Sequence, residues 1–151
     1  MSIDLSQADA DALIAMPKRA TDDREYDFPG PGNRLVLPLT SLDRREDFLL
    51  DITRVQINVA KVNYQNRARQ VVVLMRLDLG GAPHQNPDGE VVPCPHLHIY
   101  REGYGDKWAY AIPEGKFGDL SNLFKTLQDF MAECNIVEPS VPTSMRHFLA
   151  H

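Results

Sequence analysis

The chain has 151 residues, of which 43% are hydrophobic and 25% charged, and a formal net charge of −5. That length suits one ordinary domain with a core of its own, and the acidic balance excludes attraction of the whole surface to nucleic acid or anionic membrane, though not a local basic patch. With two cysteines, no basic or apolar leader at the start and no run near the roughly 18 apolar residues of a membrane helix, the expectation is a cytoplasmic protein without a disulfide framework.

In chain order, Ser6 caps a short helix through Ala8, Ala12, Leu13 and Met16 that Pro17 ends. A polar, turn-rich connector follows to residue 33. The period then becomes two. Arg34 to Thr40 sets Leu35, Leu37 and Leu39 on one face, with Pro38 marking an edge strand. Glu46 to Gln56 alternates Phe48, Leu50 and Ile52 against Leu49, Asp51 and Thr53. Ile57 to Tyr64 reads as a further strand, with Asn63-Tyr64-Gln65-Asn66 as its end or a turn. Arg69 to Leu79 carries Val71, Val73, Met75, Leu77 and Leu79 on one face; the other ends charged at Arg76 and Asp78.

Gly80-Gly81 breaks that strand, and Asn86-Pro87-Asp88-Gly89 has the residues of a type I turn. Cys94 to Tyr100 is the next strand. Gly103 to Asp106 turns it back into a strand that places Trp108, Tyr110 and Ile112 opposite Lys107, Ala109 and Ala111, with Trp108 expected in the core. From Asp119, as N-cap, the period becomes helical: Leu120, Leu123, Phe124, Leu127, Phe130, Met131 and Cys134 form one apolar stripe. The tail is extended, with a further helical turn at residues 143–150. The reading is a single α+β domain over 1–151: N-terminal helix and connector (1–33), strand-rich core (34–112), main helix (119–135) and tail (136–151). A mostly antiparallel sheet is covered on one face by the helix.

The chemistry gathers in Cys94-Pro95-His96-Leu97-His98-Ile99-Tyr100. On a strand, Cys94, His96, His98 and Tyr100 share one face, and Leu97 and Ile99 turn toward the helix. That polar face is expected to be open to solvent or covered by the N-terminal segment. Three uses compete. His96 and His98 with Cys94, and His84 as a fourth donor, suit zinc. His96 and His98 as acid and base, with Tyr100 and Lys107 and with Arg67, Arg76 and Arg101 as phosphate-binding cations, suit phosphodiester cleavage, RNA being the partner. The bland alternative is a polar face without catalysis, on a module that binds a protein partner. Arg44, Arg45, Arg54, Lys61, Arg67, Arg69 and Arg76, with Tyr64 among them, offer charge and a stacking ring to nucleic acid.

His96-Leu97-His98-Ile99-Tyr100 resembles the histidine-triad nucleotide hydrolase motif, but Tyr100 stands where the third histidine belongs, and that activity is not carried over. Over a longer span, Arg76 to Gly81, His84 with Asn86 to Gly89, Pro95 to Tyr100 and Trp108-Ala109 resemble a family of uncharacterised bacterial proteins. The resemblance implies a prophage or mobile-island setting, of the kind that houses toxin-like proteins, and no established reaction.

Overall fold

The computed structural model describes residues 4–24, 26–58 and 60–137. The chain runs α1 (Gln7–Ala15), β1 (Lys18–Ala20), β2 (Arg34–Ser41), β3 (Asp47–Arg54), β4 (Val62–Ala68), β5 (Val72–Leu79), β6 (His84–Gln85), β7 (Val91–Val92), β8 (His96–Ile99), β9 (Ala109–Ala111) and α2 (Leu123–Glu133). Seven strands form one sheet in the order β1-β2-β3-β4-β5-β8-β9, with every neighbouring pair antiparallel. The fold is α+β. β6 and β7 make a separate two-stranded hairpin inserted between β5 and β8.

One face of the sheet is apolar because the alternation in each strand points the same way. Ile52, Tyr64, Leu77 and Leu97 follow one another across four strands, and all four are buried. Both helices contribute to this core, α2 through Phe124, Leu127, Phe130 and Met131 and α1 through Ala10 and Leu13. Tyr64 donates from its hydroxyl to Leu123 O at 2.7 Å, and its ring lies 6.1 Å from that of Phe130. Leu97 is buried in this core with Ile99 packed against it, as the alternation predicts.

Helix α1 starts at the expected cap, with the Ser6 hydroxyl accepting from Asp9 N. Helix α2 begins later than the sequence suggests. Asn122 is its N-cap and accepts from Lys125 N at 3.0 Å, while Asp119 spends its carboxylate on Ser121 in the turn before it. The connector holds an unpredicted strand, β1, whose Lys18 is fully buried and donates to the carbonyls of Ile14, Met16 and Cys134 at 2.9, 3.0 and 2.6 Å. One ammonium thus satisfies carbonyls at the C-terminal ends of both helices, which lack partners within the helix.

Two strands differ from the sequence reading. Asn63 to Asn66 is the middle of β4, not a turn: Tyr64 is core, and buried Asn66 donates to Leu49 O. The turn lies instead at Arg69 and Gln70, whose φ values of 50° and 68° are those of a tight hairpin. Register then shifts, Asn66 facing Met75 and Arg67 facing Val73, so Leu74 is an extra residue on β5. Val72 and Leu74 are therefore buried, against the simple alternation.

Pro38 costs β2 nothing. Its carbonyl accepts from Thr21 N, so its missing amide faces that side rather than β3. Trp108 lies outside the core, under the Arg101 guanidinium at 4.1 Å and edge-on to Tyr104. Cys134 is 1% exposed in the core, where burial pushes its thiol up to about 12. Both cysteines are free. No helix among the described residues is long and apolar enough to cross a membrane. The helical turn expected at 143–150 lies outside the described residues.

Candidate functional site

The opposite face of the sheet is polar, and the pairing of β5 with β8 gives it a centre. Antiparallel register sets Asp78 against His96 and Arg76 against His98. Residues two apart on a strand share a face, so these four side chains form a square on two strands. On the far side, β9 offers only Ala111 opposite His96 and Ala109 opposite His98, which leaves room above the imidazoles.

That room is filled by the arm of residues 80–95. The arm leaves β5 at Gly80, whose φ is +68° and where a Cβ would stand 2.1 Å from Ala60 O, so glycine is required. Its hairpin closes through the expected turn, with Gly89 N donating to Asn86 O. The Asn86 side chain is then used like a piece of strand: Ala109 N donates to its Oδ1 at 2.8 Å, and its Nδ2 donates to Ala109 O at 3.0 Å. Asn86→Ala is expected to cost about 2 kcal/mol, because two buried backbone groups lose their partners. Urea denaturation checks this, and an unchanged midpoint would contradict the docking of the arm on β9.

The arm lays the His84 ring 4.7 Å from that of His98 and 5.9 Å from that of His96, centroid to centroid. The polar face is therefore not open to solvent at this point, nor covered by the N-terminal segment as the sequence suggested. His96 and His98 are 2% and 1% exposed, whereas His84 is half-buried.

Asp78 binds the group together. Its Oδ2 lies 3.2 Å from Nε2 of His96 and 3.2 Å from Nε2 of His98, and Arg76 bonds both carboxylate oxygens at 2.9 and 3.3 Å. Burial pushes the Asp78 carboxyl upward, but its bonds and charge interactions with His98 and Arg76 win and bring it down to about 2. Arg76 also reaches Asp106 at 3.0 Å and His98 Nε2 at 3.0 Å. The second ring nitrogens face backbone carbonyls, His98 Nδ1 at 2.8 Å from Asp106 O and His96 Nδ1 at 3.3 Å from Pro93 O. His84 Nε2 lies 2.7 Å from Lys107 O.

Beside this group a cleft of about 510 Å³ runs over the sheet, lined among others by Arg34, Asp51, Lys61, Gln65, Arg76, Asp78, His84 and His96. Its far wall is anchored at Asp51, a buried carboxylate that accepts from Arg67 at 2.6 and 2.8 Å, from Gln65 at 2.9 Å and from Arg34 at 3.1 Å. Burial opposes its ionisation, and these donors outweigh it and hold its carboxyl below the usual range.

Of the candidate residues, His84, His96, His98 and Arg76 come together. The other five are placed elsewhere. Tyr100 leaves the histidine face: β8 ends at Ile99, and the Tyr100 hydroxyl donates to Leu5 O and accepts from Leu5 N, on the helix side. Cys94 pins the two ends of the arm, its Sγ donating to Asp78 O and accepting from Gly81 N. Arg67 belongs to Asp51, and Arg101 covers Trp108. Lys107 is exposed and contributes its carbonyl to His84. The residue that sequence reasoning missed is Asp78. Its signal was present, a second charge two residues after Arg76 on the polar face of an apolar strand.

No curated protein and no solved structure matches the chain. A family model matches residues 5–136, most of the chain. The chain belongs to DUF6978, a family of unknown function.

Proposed function

We propose that the polar face of the sheet cleaves phosphodiester bonds, with RNA as the substrate class. One observation carries the reading: His84, His96, Asp78 and Arg76 line a cleft together with Lys61 and Arg34, and the ring of His98 packs against those of His84 and His96. Cations along a groove suit a phosphate backbone even on a protein of net charge −5. Asn63 and Gln65 add hydrogen-bonding groups on the same wall.

In such a reaction the 2′-oxygen bonds to phosphorus as the bond from phosphorus to the 5′-oxygen breaks. One proton leaves the 2′-hydroxyl and another reaches the 5′-oxygen, leaving a 2′,3′-cyclic phosphate and a 5′-hydroxyl. The buried group of Asp78, His96 and His98 activates the attacking hydroxyl. His84, the half-buried histidine that lines the cleft, supplies the proton to the leaving oxygen. Lys61 and Arg76 hold the phosphate. The setting we propose is the bacterial cytoplasm, on a prophage or similar element, with cleavage as a toxin-like act.

The experiment is cleavage of an end-labelled single-stranded RNA by the purified protein, run in chelator and again with added divalent metals. The expected products carry a cyclic phosphate, and His84→Ala and Lys61→Ala each slow cleavage by about 100-fold or more with the fold unchanged. No cleavage under either condition would overturn the reading in favour of a binding module.

A further inference from the structure

We infer that Asp78, His96 and His98 form the binding site for one divalent first-row transition-metal ion. Each of the three residues offers one ligand atom, and the three atoms lie within 4.8 Å of one another. Each Nε2 stands 3.2 Å from Oδ2. Metal–nitrogen and metal–oxygen bonds of about 2.0–2.1 Å put neighbouring ligand atoms roughly 2.9–3.4 Å apart in octahedral or tetrahedral geometry. The observed spacing is a coordination edge.

The surroundings of the rings point the same way. Nδ1 of His98 faces Asp106 O and Nδ1 of His96 faces Pro93 O. A ring that donates from Nδ1 to a carbonyl presents, when neutral, a lone pair at Nε2; this is how metal-ligating histidines are oriented. In that tautomer two lone pairs and a carboxylate oxygen converge, an arrangement that a cation between them stabilises; without the ion, His98 Nε2 instead bonds Asp78 Oδ2 directly. At present the cation beside them is Arg76, whose Nη2 is 3.0 Å from His98 Nε2.

The donor set defines the ion. Two imidazoles with one carboxylate suit zinc, iron, manganese or cobalt rather than magnesium or calcium, which prefer oxygen. Three protein ligands, of which Asp78 and His96 also line the cleft, make the pattern of a catalytic rather than a structural centre. Cys94 is not a ligand, because its Sγ is spent on Asp78 O and Gly81 N. Arg76 and the ion compete for the same lone pair. When the ion enters, the guanidinium swings away from His98 and keeps Asp106 as its partner. The ion's part in activating the 2′-hydroxyl rests on the cleft reading above; its binding does not.

The test uses the full chain, dialysed against chelator and titrated calorimetrically with zinc chloride and, separately, magnesium chloride. One equivalent of zinc is expected to bind and magnesium to give no saturable heat. Asp78→Asn and His96→Gln are each expected to weaken zinc by about 100-fold or more, whereas Arg76→Met binds zinc at least as tightly as the parent. Because a buried-site variant can fail to fold, cobalt(II) added to the parent protein gives an independent readout: visible d–d bands without a thiolate charge-transfer band. Absence of stoichiometric zinc uptake by the parent, a thiolate band, or full affinity in a folded Asp78→Asn variant would each overturn the site. RNA cleavage without zinc uptake would sink the metal site and keep the cleft's activity; zinc uptake without cleavage would do the reverse.

Discussion

Phe130→Ala is expected to destabilise the protein by about 3–5 kcal/mol, the usual cost of emptying a buried aromatic site. Phe130 is fully buried at the centre of the α2 stripe, against the ring of Tyr64 from the middle of β4. Tyr64 is held on its other end by the hydroxyl bond to Leu123 O, so neither ring can relax far into the space left behind. Sheet and helix are joined through this pair. Urea denaturation measures the loss, and a change below about 1 kcal/mol would contradict the packing of α2 on the sheet.

Lys18 gives the second large effect, and it is visible in pH. Burial pushes its ammonium from 10.5 down to about 8, only partly opposed by Cys134. The folded protein therefore releases this proton more readily than the unfolded chain does. Below pH 8 the cost of burying the charge is fully present; between about 8 and 10.5 it fades, and stability from this group rises with pH. Relative to Lys18→Met, which titrates nothing there, the parent is expected to gain about 2–3 kcal/mol between pH 7 and pH 10. Comparing the two proteins cancels other titrating groups such as Tyr64, whose hydroxyl burial also perturbs. Denaturation of both at the two pH values settles it; a gap that stays constant or shrinks would contradict a charged, buried Lys18.

The features legible in the sequence were those that a short period carries. The stripe read from Leu120 to Cys134 is buried from Phe124 to Cys134, although the helix starts only at Leu123. The alternation of Leu97 and Ile99 against His96 and His98 falls where the pattern put it, and both features follow from single elements. Residues 63–66 read as a strand end or a turn because Asn63 and Gln65 line the polar cleft, where Gln65 bonds Asp51, and because Asn66, buried on the same side as Tyr64, spends its amide on Leu49 O. Asn63 and Gln65, of types common in turns, are here the lining of a site. Asp78 was hidden for a different reason. Its place beside His96 depends on β5 pairing with β8 across the whole excursion of residues 80–95, and no local period reports such a pairing. Tyr100 was lost because the strand ends one residue before it, and its hydroxyl serves the helix side.

The most direct measurement of the proposed chemistry is the RNA cleavage rate of Asp78→Asn beside that of the parent, on samples matched for thermal stability and metal supply. Asp78 is the atom group through which both buried imidazoles meet, and asparagine keeps its shape while removing its charge. A rate lowered by about 100-fold or more is expected, whereas cleavage at the parent rate would contradict a catalytic role for the buried aspartate–histidine group.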